Sequence, residues 1–446
     1  MPLRADQARE RVGNWLANNL KWDAGSWRPD HLADRLVFGL THFDELCAGA
    51  PDEFGATFAR ALNRQARHLF RLGEIGRAEA DNFRLWRGAI IAALHLPGFR
   101  RQLPEAIKRL EIAASEQILA DGGHFARSPQ AHLDALAALI QTRAALFAAC
   151  VEIPERLQIT IDRMAPMLRA YCHADGGLAL FNGAHESNKV TVECVLDLSG
   201  SVAKPASSAP HTGFHRISAQ RTTVIFDVGT PADSAPLVPG HAGTLSFEMS
   251  VGPHRMIVNC GSVHYSGGNH ELAQALRATA AHSTLTVANT HSADLVPGAG
   301  YGDRRASNVL VRRREQDRNV LVEGQHDGYV ETFGLIHRRS LYLARDGLDL
   351  RGEDILESTK STGQSFDIRF HLHPSTRASL VGGGRSVLLR LPTGRGWRLE
   401  ISEGTLSLEG SIYAGGDLLG QTSQIIINDR HTRRRTINKW RLAREE

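Results

Sequence analysis

Cysteine is scarce and unpatterned: five residues (Cys47, Cys150, Cys172, Cys194, Cys260), odd in number, far apart and never spaced Cys-x-x-Cys. That argues against both a disulfide framework and a thiolate zinc site. Long apolar runs are lacking too. Nowhere do about 18 consecutive apolar residues occur, so no helix is expected to cross a bilayer. The opening MPLRADQARERVGNWLANNL has no run of about 7–15 apolar residues behind its basic positions, so as written it carries no secretory signal. The expected location is the cytoplasm, or the periplasm or cell envelope if the true start differs. A large excess of one charge is also absent: 52 Lys and Arg face 48 Asp and Glu, a net +4 over 446 residues. So mild a balance does not point to nucleic acid, but it would suit an acidic small molecule or polymer. With 42 % hydrophobic residues the chain can bury a substantial core, and its length favours two domains or one large elaborated one.

Two textures meet near residue 190. Only 14 of the 42 glycines lie in residues 1–190, which are rich in Ala, Leu, Arg and Glu at helical spacing. In residues 130–149, Leu133, Leu136, Ala137, Ile140, Ala144 and Phe147 form one helical stripe. Residues 105–120 read as a helix that follows Pro104 and stops before Asp121-Gly122-Gly123. Segments 34–49, 56–72, 83–95 and 155–172 read alike, which predicts stacked antiparallel helix pairs. Beyond 190 the period becomes two. Val224, Phe226 and Val228 alternate, as do Leu245, Phe247 and Met249. Asp346-Gly347 sits between Leu341, Leu343 and Leu348, Leu350 as a hairpin turn. In 366–373, Phe366, Ile368, Phe370 and Leu372 share one face; Asp367, Arg369, His371 and His373 share the other. Residues 1–190 are therefore expected to be almost wholly helical and 195–446 almost wholly antiparallel strand, with 201–213 as a linker or loop.

Histidine is the informative residue. Thirteen of 21 follow residue 190, and His241, His254, His264, His270 and His282 fall within 42 residues. His241 and His282 each precede a strand-like run, with Asn259 and Tyr265 in the turn between. Strand-end histidines that converge can bind zinc or carry protons; the competing reading is scattered surface histidines. A second candidate is DGGHFARSPQAH (121–132), which presents His124, Arg127, Ser128 and His132 where a helix begins and an anion is favoured. The competing reading is a plain turn with Ser128 as cap and Pro129 in the first helical position. Basic clusters at 304–318 and at His431 to Arg435 read either as a solvated strand face or as a rim that steers an acidic ligand.

In order and context, HAGTLSFEMSVGPHRMIVNCG, RATAAHSTLTVAN, DGGHFARSP and DGGLALFNGAHE together resemble the heparinase II/III-like polysaccharide lyases. The resemblance implies an α+β multidomain fold: an incomplete α/α toroid in 1–190, followed by an antiparallel β-sandwich in 191–446. It also implies β-elimination on a uronate-containing acidic polysaccharide or oligosaccharide, in a cleft between the domains. There a uronate carboxylate must be neutralised, a base must take the C5 proton and an acid must protonate the leaving O4. By the resemblance, His124 or His241 is the base and Tyr265 or His132 the acid, while Asn82 and Arg127 hold the carboxylate. His241, Asn259 and His282 stand at a zinc position. The sequence departs from the pattern where it matters. Ala131 replaces the tyrosine that usually follows Ser-Pro, Pro239 and Gly243 replace the first His and the Asp of His-x-His-x-Asp, and Asn259 stands where an acid often sits. No cofactor is expected to be required, and zinc at this degenerate site is expected to be weak or absent. The alternatives are a non-catalytic acidic-glycan-binding protein on the same fold, or a hydrolase of acidic oligosaccharides. A second copy of the chain, in a homodimer, is a further candidate partner.

Overall fold

The computed structural model describes residues 5–19, 22, 23, 25–74, 82–186, 189–231, 240–263, 270–296, 308–358, 363–416 and 419–445. The chain packs as two compact units, Met1–Ile118 with Asp134–Asp162, and Leu119–Leu133 with Arg163–Glu446.

The first unit is helical. Its helices include Pro29–Thr41, Asp52–Glu74, Asn82–His95 and Leu103–Gln117. Pro29 and Pro104 both sit in first turns, where a missing N–H costs nothing. Leu32, Leu36 and Leu40 of one helix and Ala89, Ile90 and Ala93 of another are removed from water. Helices Pro29–Thr41 and Asn82–His95 pack on each other. They approach closely at Gly88: a Cβ there would lie 2.8 Å from the Cα of Ala33.

The second unit holds two antiparallel sheets. One runs in the order Ser208–Ala209, Phe214–Ala219, Thr222–Asp227, Phe247–Val251, His254–Val258, Gln364–Leu372, Gly420–His431 and Thr405–Tyr413, with Leu285–Val287 paired to Gln364–Leu372. The other is Arg377–Val381, Ser386–Arg390, Gly396–Ile401, Arg435–Arg444, Asp349–Glu357, Leu335–Leu343, Asn319–Tyr329 and Leu310–Gln316. The sheets share one core. Phe247 of the first stacks on Trp440 of the second at 5.7 Å between ring centroids, and Phe370 meets the same indole edge-on. The hairpin expected at Asp346-Gly347 is present, with Gly347 at φ 68°. The expected fold class thus holds: a helical N-terminal region followed by antiparallel sheets.

Among the described residues, the α-helices Lys189–Ser199, His270–Leu276 and Val330–Phe333 interrupt the expected all-strand second half. The first contains KVTV, a run of strand-forming residues, yet Val192, Val195, Leu196 and Ser199 bury one helical face. Burial of that face overrides local propensity.

Candidate functional site

The loop at 121–132 opens the helix Pro129–Ala148. Ser128 Oγ accepts the Ala131 N–H at 3.4 Å and Pro129 begins the helix, so the capping geometry is present. Asp121 ties the loop down, accepting from the N–H groups of Gly123, His211 and Thr212 at 2.7–3.1 Å. Arg127 has a left-handed backbone, φ 55°, and a side chain almost sealed from water. Its Nε donates to Thr212 O at 2.7 Å, Nη1 to Thr230 O at 3.0 Å, and Nη2 pairs with the Asp227 carboxylate. The guanidinium also lies 5.1 Å from the Phe214 ring centroid. This cation is already neutralised from within the chain.

The loop is joined to the first strand-end histidine through one side chain. Asn182 Nδ2 donates to Arg127 O at 2.9 Å, while its Oδ1 accepts the His241 N–H at 3.4 Å. His241 and His282 come together as well, Nδ1 to Nε2 at 3.1 Å with rings crossed at 84°. The tautomers follow from their partners. His282 Nδ1 lies 2.8 Å from Ala278 O, and a carbonyl can only accept. The proton is therefore on His282 Nδ1, its Nε2 carries the lone pair, and His241 Nδ1–H donates to it. Asn259 stands next in the chain of contacts: its Oδ1 accepts the Ser283 N–H at 3.0 Å and its own N–H donates to Glu248 Oε1 at 2.9 Å. The other oxygen of buried Glu248 accepts from His173 Nε2 at 3.0 Å.

Burial holds these imidazoles neutral. It lowers His124 to about 3, with His132 adding repulsion, and lowers His132 and His282 to about 4. His241 falls well below its ordinary value, through burial first and the neighbouring His282 second. His132 donates from Nε2 to Met164 O at 3.0 Å and crosses the Tyr171 ring edge-on. Tyr171 is a nearby phenol, fully buried, and burial raises its pKa. Tyr265 and the Asn82 side chain lie outside the described residues. His371 proves to be an inner-layer residue, held by Ser411 Oγ at 2.7 Å and Ala280 O at 2.9 Å. Of the basic clusters, strand Leu310–Gln316 is mostly exposed, whereas His431 is buried between Ser358 and Thr436.

Asp227, Asn182, Glu248 and His173 were not legible as site residues. Asn182 does fall inside DGGLALFNGAHE, and Asp227 lies next to the end of the strand-like run at 221–228; no spacing rule gave either a role. Among the described residues no group of three or more His, Cys, Asp or Glu is placed to hold a metal ion, and no helix is long and apolar enough to cross a membrane.

With this geometry established, comparison with known proteins places the chain. Residues 201–441 match the family model for the heparinase II/III-like C-terminal domain. FtsZ-localized protein C of Caulobacter vibrioides is 30 % identical over 445 residues, covering 96 % of this chain and 76 % of that protein. A solved structure of heparinase III superposes with a TM-score of 0.78 over 98 % of this chain and 73 % of the other, at 14 % identity. The heparan sulfate lyase HepC of Pedobacter heparinus gives 0.69 over 99 % and 72 %, at 15 % identity. At such low identity the two structures testify to the fold alone. The family model spans more than half of the chain, and on that ground the chain belongs to the heparinase II/III-like family.

Proposed function

We propose that this chain keeps the heparinase fold without running β-elimination, and that it acts by binding at the place where FtsZ is found. One observation carries the reading: the guanidinium expected to meet a uronate carboxylate is committed to Asp227 and two backbone carbonyls inside the protein. A uronate would have to break a buried ion pair before it could be held, at a cost of several kcal/mol, roughly 3–5. Ala131 in the tyrosine's place points the same way, as does burial of His132, which leaves that ring without the proton an acid must give. The 30 % identity to a protein named for its localisation with FtsZ supports co-localisation with FtsZ as the place of action.

The test has two arms. Incubation with a panel of uronate polysaccharides is expected to give no rise in absorbance from an unsaturated product. A fluorescent fusion is expected to gather where FtsZ gathers. A diffuse fusion would remove the FtsZ-localisation reading, and a sustained absorbance rise would establish the lyase instead.

That second reading draws on the Asn182 bridge, which sets the 121–132 loop beside His241 as a shared site requires. On it, His124 or His241 is the base and Tyr265 or His132 the acid, with Asn82 and Arg127 on an acidic polysaccharide or oligosaccharide. Binding of such a glycan without turnover would fit the first reading.

A further inference from the structure

The family pattern implies a metal at the position of His241, Asn259 and His282, so the donor set can be tested against zinc. Zinc sites want three or four strong donors, imidazole nitrogen or anionic oxygen and sulfur, with carboxylate the common third ligand beside two histidines. His282 is oriented as a ligand would be, since Ala278 O fixes its Nδ1–H and turns Nε2 inward. The decision therefore falls on the other positions. Asn259 cannot be turned freely: the Ser283 N–H requires its oxygen on one side, so its NH2 faces the other. That Nδ2 is buried and has no hydrogen-bond partner. A donor stands where an anionic oxygen would be needed. The second acidic position is Gly243, and there the space is taken. A Cβ on Gly243 would lie 2.6 Å from His282 Cδ2 and 3.0 Å from Cγ, so the imidazole occupies the room a side chain would need. Glu248 does not compensate, because both of its oxygens are engaged by Asn259 N–H and His173. Glu248 lies close enough to act on His282, but a divalent cation here would be desolvated with no anionic oxygen free to ligate it, which is unfavourable.

We infer that this branch has replaced the metal centre with a metal-free staple, in which the proton His241 donates to His282 joins the two segments that a cation would otherwise join. Beside Pro239, which stands in place of the first His, Gly243 and Asn259 make it so: one admits the His282 ring, the other removes the anion. The inference does not depend on whether the protein cleaves glycans, since a metal-free centre is compatible with either outcome of the absorbance assay.

The test uses the full chain. Wild type and His282→Ala are each exposed to excess zinc, dialysed and assayed by elemental analysis. Wild type is expected to keep no more zinc than the variant; a stoichiometric ion kept by wild type and lost in His282→Ala overturns the staple. Because that variant could misfold, long-range 15N–1H correlation on wild type supplies a second readout. Both rings should be neutral and protonated at Nδ1 at neutral pH, and zinc should leave the spectrum unmoved. An Nε2-protonated His282, or a zinc-dependent shift of either ring, overturns it. Asn259→Asp restores one anion. Since even outer-shell partners change metal affinity 10–100-fold, it should raise zinc affinity by at least about tenfold. Equal zinc affinity in wild type and Asn259→Asp would show that the missing anion is not what excludes the metal.

Discussion

Arg127 and Asp227 form an ion pair in which both side chains are nearly sealed from water, 6 % and 4 % exposed. The pair joins the 121–132 loop to the end of strand Thr222–Asp227, residues 100 positions apart. From the sequence, Arg127 reads as a replaceable binding residue whose loss leaves folding intact. The structure changes that expectation. Truncating one partner of a buried pair leaves the other charge uncompensated, at about 3–5 kcal/mol. Arg127→Ala should lower the urea midpoint accordingly, and Asp227→Asn should do so nearly as much. An Arg127→Ala protein as stable as wild type would show that the pair carries no structural weight.

The difference between those two expectations shows where sequence reasoning reaches. His241 and His282 could be paired in advance because each stands just before a strand-forming run. The strands themselves are not neighbours, as that reasoning would have them: Phe247–Val251 lies between Thr222–Asp227 and His254–Val258, while Leu285–Val287 pairs with Gln364–Leu372. Arg127 could not be matched with Asp227, because nothing in a loop's spacing names a partner so far along the chain. Glu248 was hidden for a related reason. Alternation places it opposite Phe247 and Met249, on a face that would ordinarily be wet, yet every residue of Phe247–Val251 is buried. A strand covered on both faces has no polar side to read. Helix Lys189–Ser199 was obscured by its own valines. The hairpin at Asp346-Gly347 was plain because its turn chemistry is local.

Acid should unfold this protein early. Burial lowers His124 and His371 to about 3, and His132, His215 and His282 to about 4. An unfolded histidine titrates near 6.5, so between about pH 6.5 and 4 the unfolded chain binds more protons than the folded one. Stability is then complete above that window and falls as the pH drops through it. One such ring withdraws about 3 kcal/mol by pH 4, and a domain has only about 5–15 kcal/mol in total. The urea midpoint should decline steadily below about pH 6.5, with loss of far-UV ellipticity before about pH 4. A midpoint that stays flat over that range would mean that the rings are not buried and neutral as described.

Tyr171 offers an opposite case. Its hydroxyl is buried without a hydrogen-bond partner, while the ring packs edge-on against His132 and Phe214. An unmet hydroxyl costs about 1–3 kcal/mol, whereas the ring contacts survive replacement by phenylalanine. Tyr171→Phe should therefore melt at the same temperature as wild type or higher. A clear loss of stability would mean that the hydroxyl has a partner, such as a bound water.

Behind the histidine pair, Arg339 is fully buried and donates from Nη1 to Leu245 O at 2.9 Å and Ser283 O at 2.7 Å. Those two carbonyls belong to the segments that carry His241 and His282. The guanidinium is itself fixed by Asp354, at 2.8 Å and 3.1 Å, and Asp354 also accepts from His337 Nε2–H and Trp440 Nε1–H. Burial works against the charge on Asp354, but Arg339 and His337 outweigh it and hold the carboxyl at about 2. A carboxyl lowered from its ordinary 3.8 adds stability that is present above about pH 4 and is lost as the pH falls toward 2. Arg339→Met reverses the sign. Without the cation, burial raises the carboxyl, and the folded state favours the protonated form. The variant should lose about 3–5 kcal/mol at neutral pH, and the gap from wild type should narrow as the pH falls. Adding Asp354→Asn removes the stranded charge, so the double variant should be more stable than Arg339→Met alone. Urea unfolding of wild type, both single variants and the double variant at two pH values measures this coupling directly. Strictly additive losses, or a gap that does not change with pH, would show that Arg339 and Asp354 act separately.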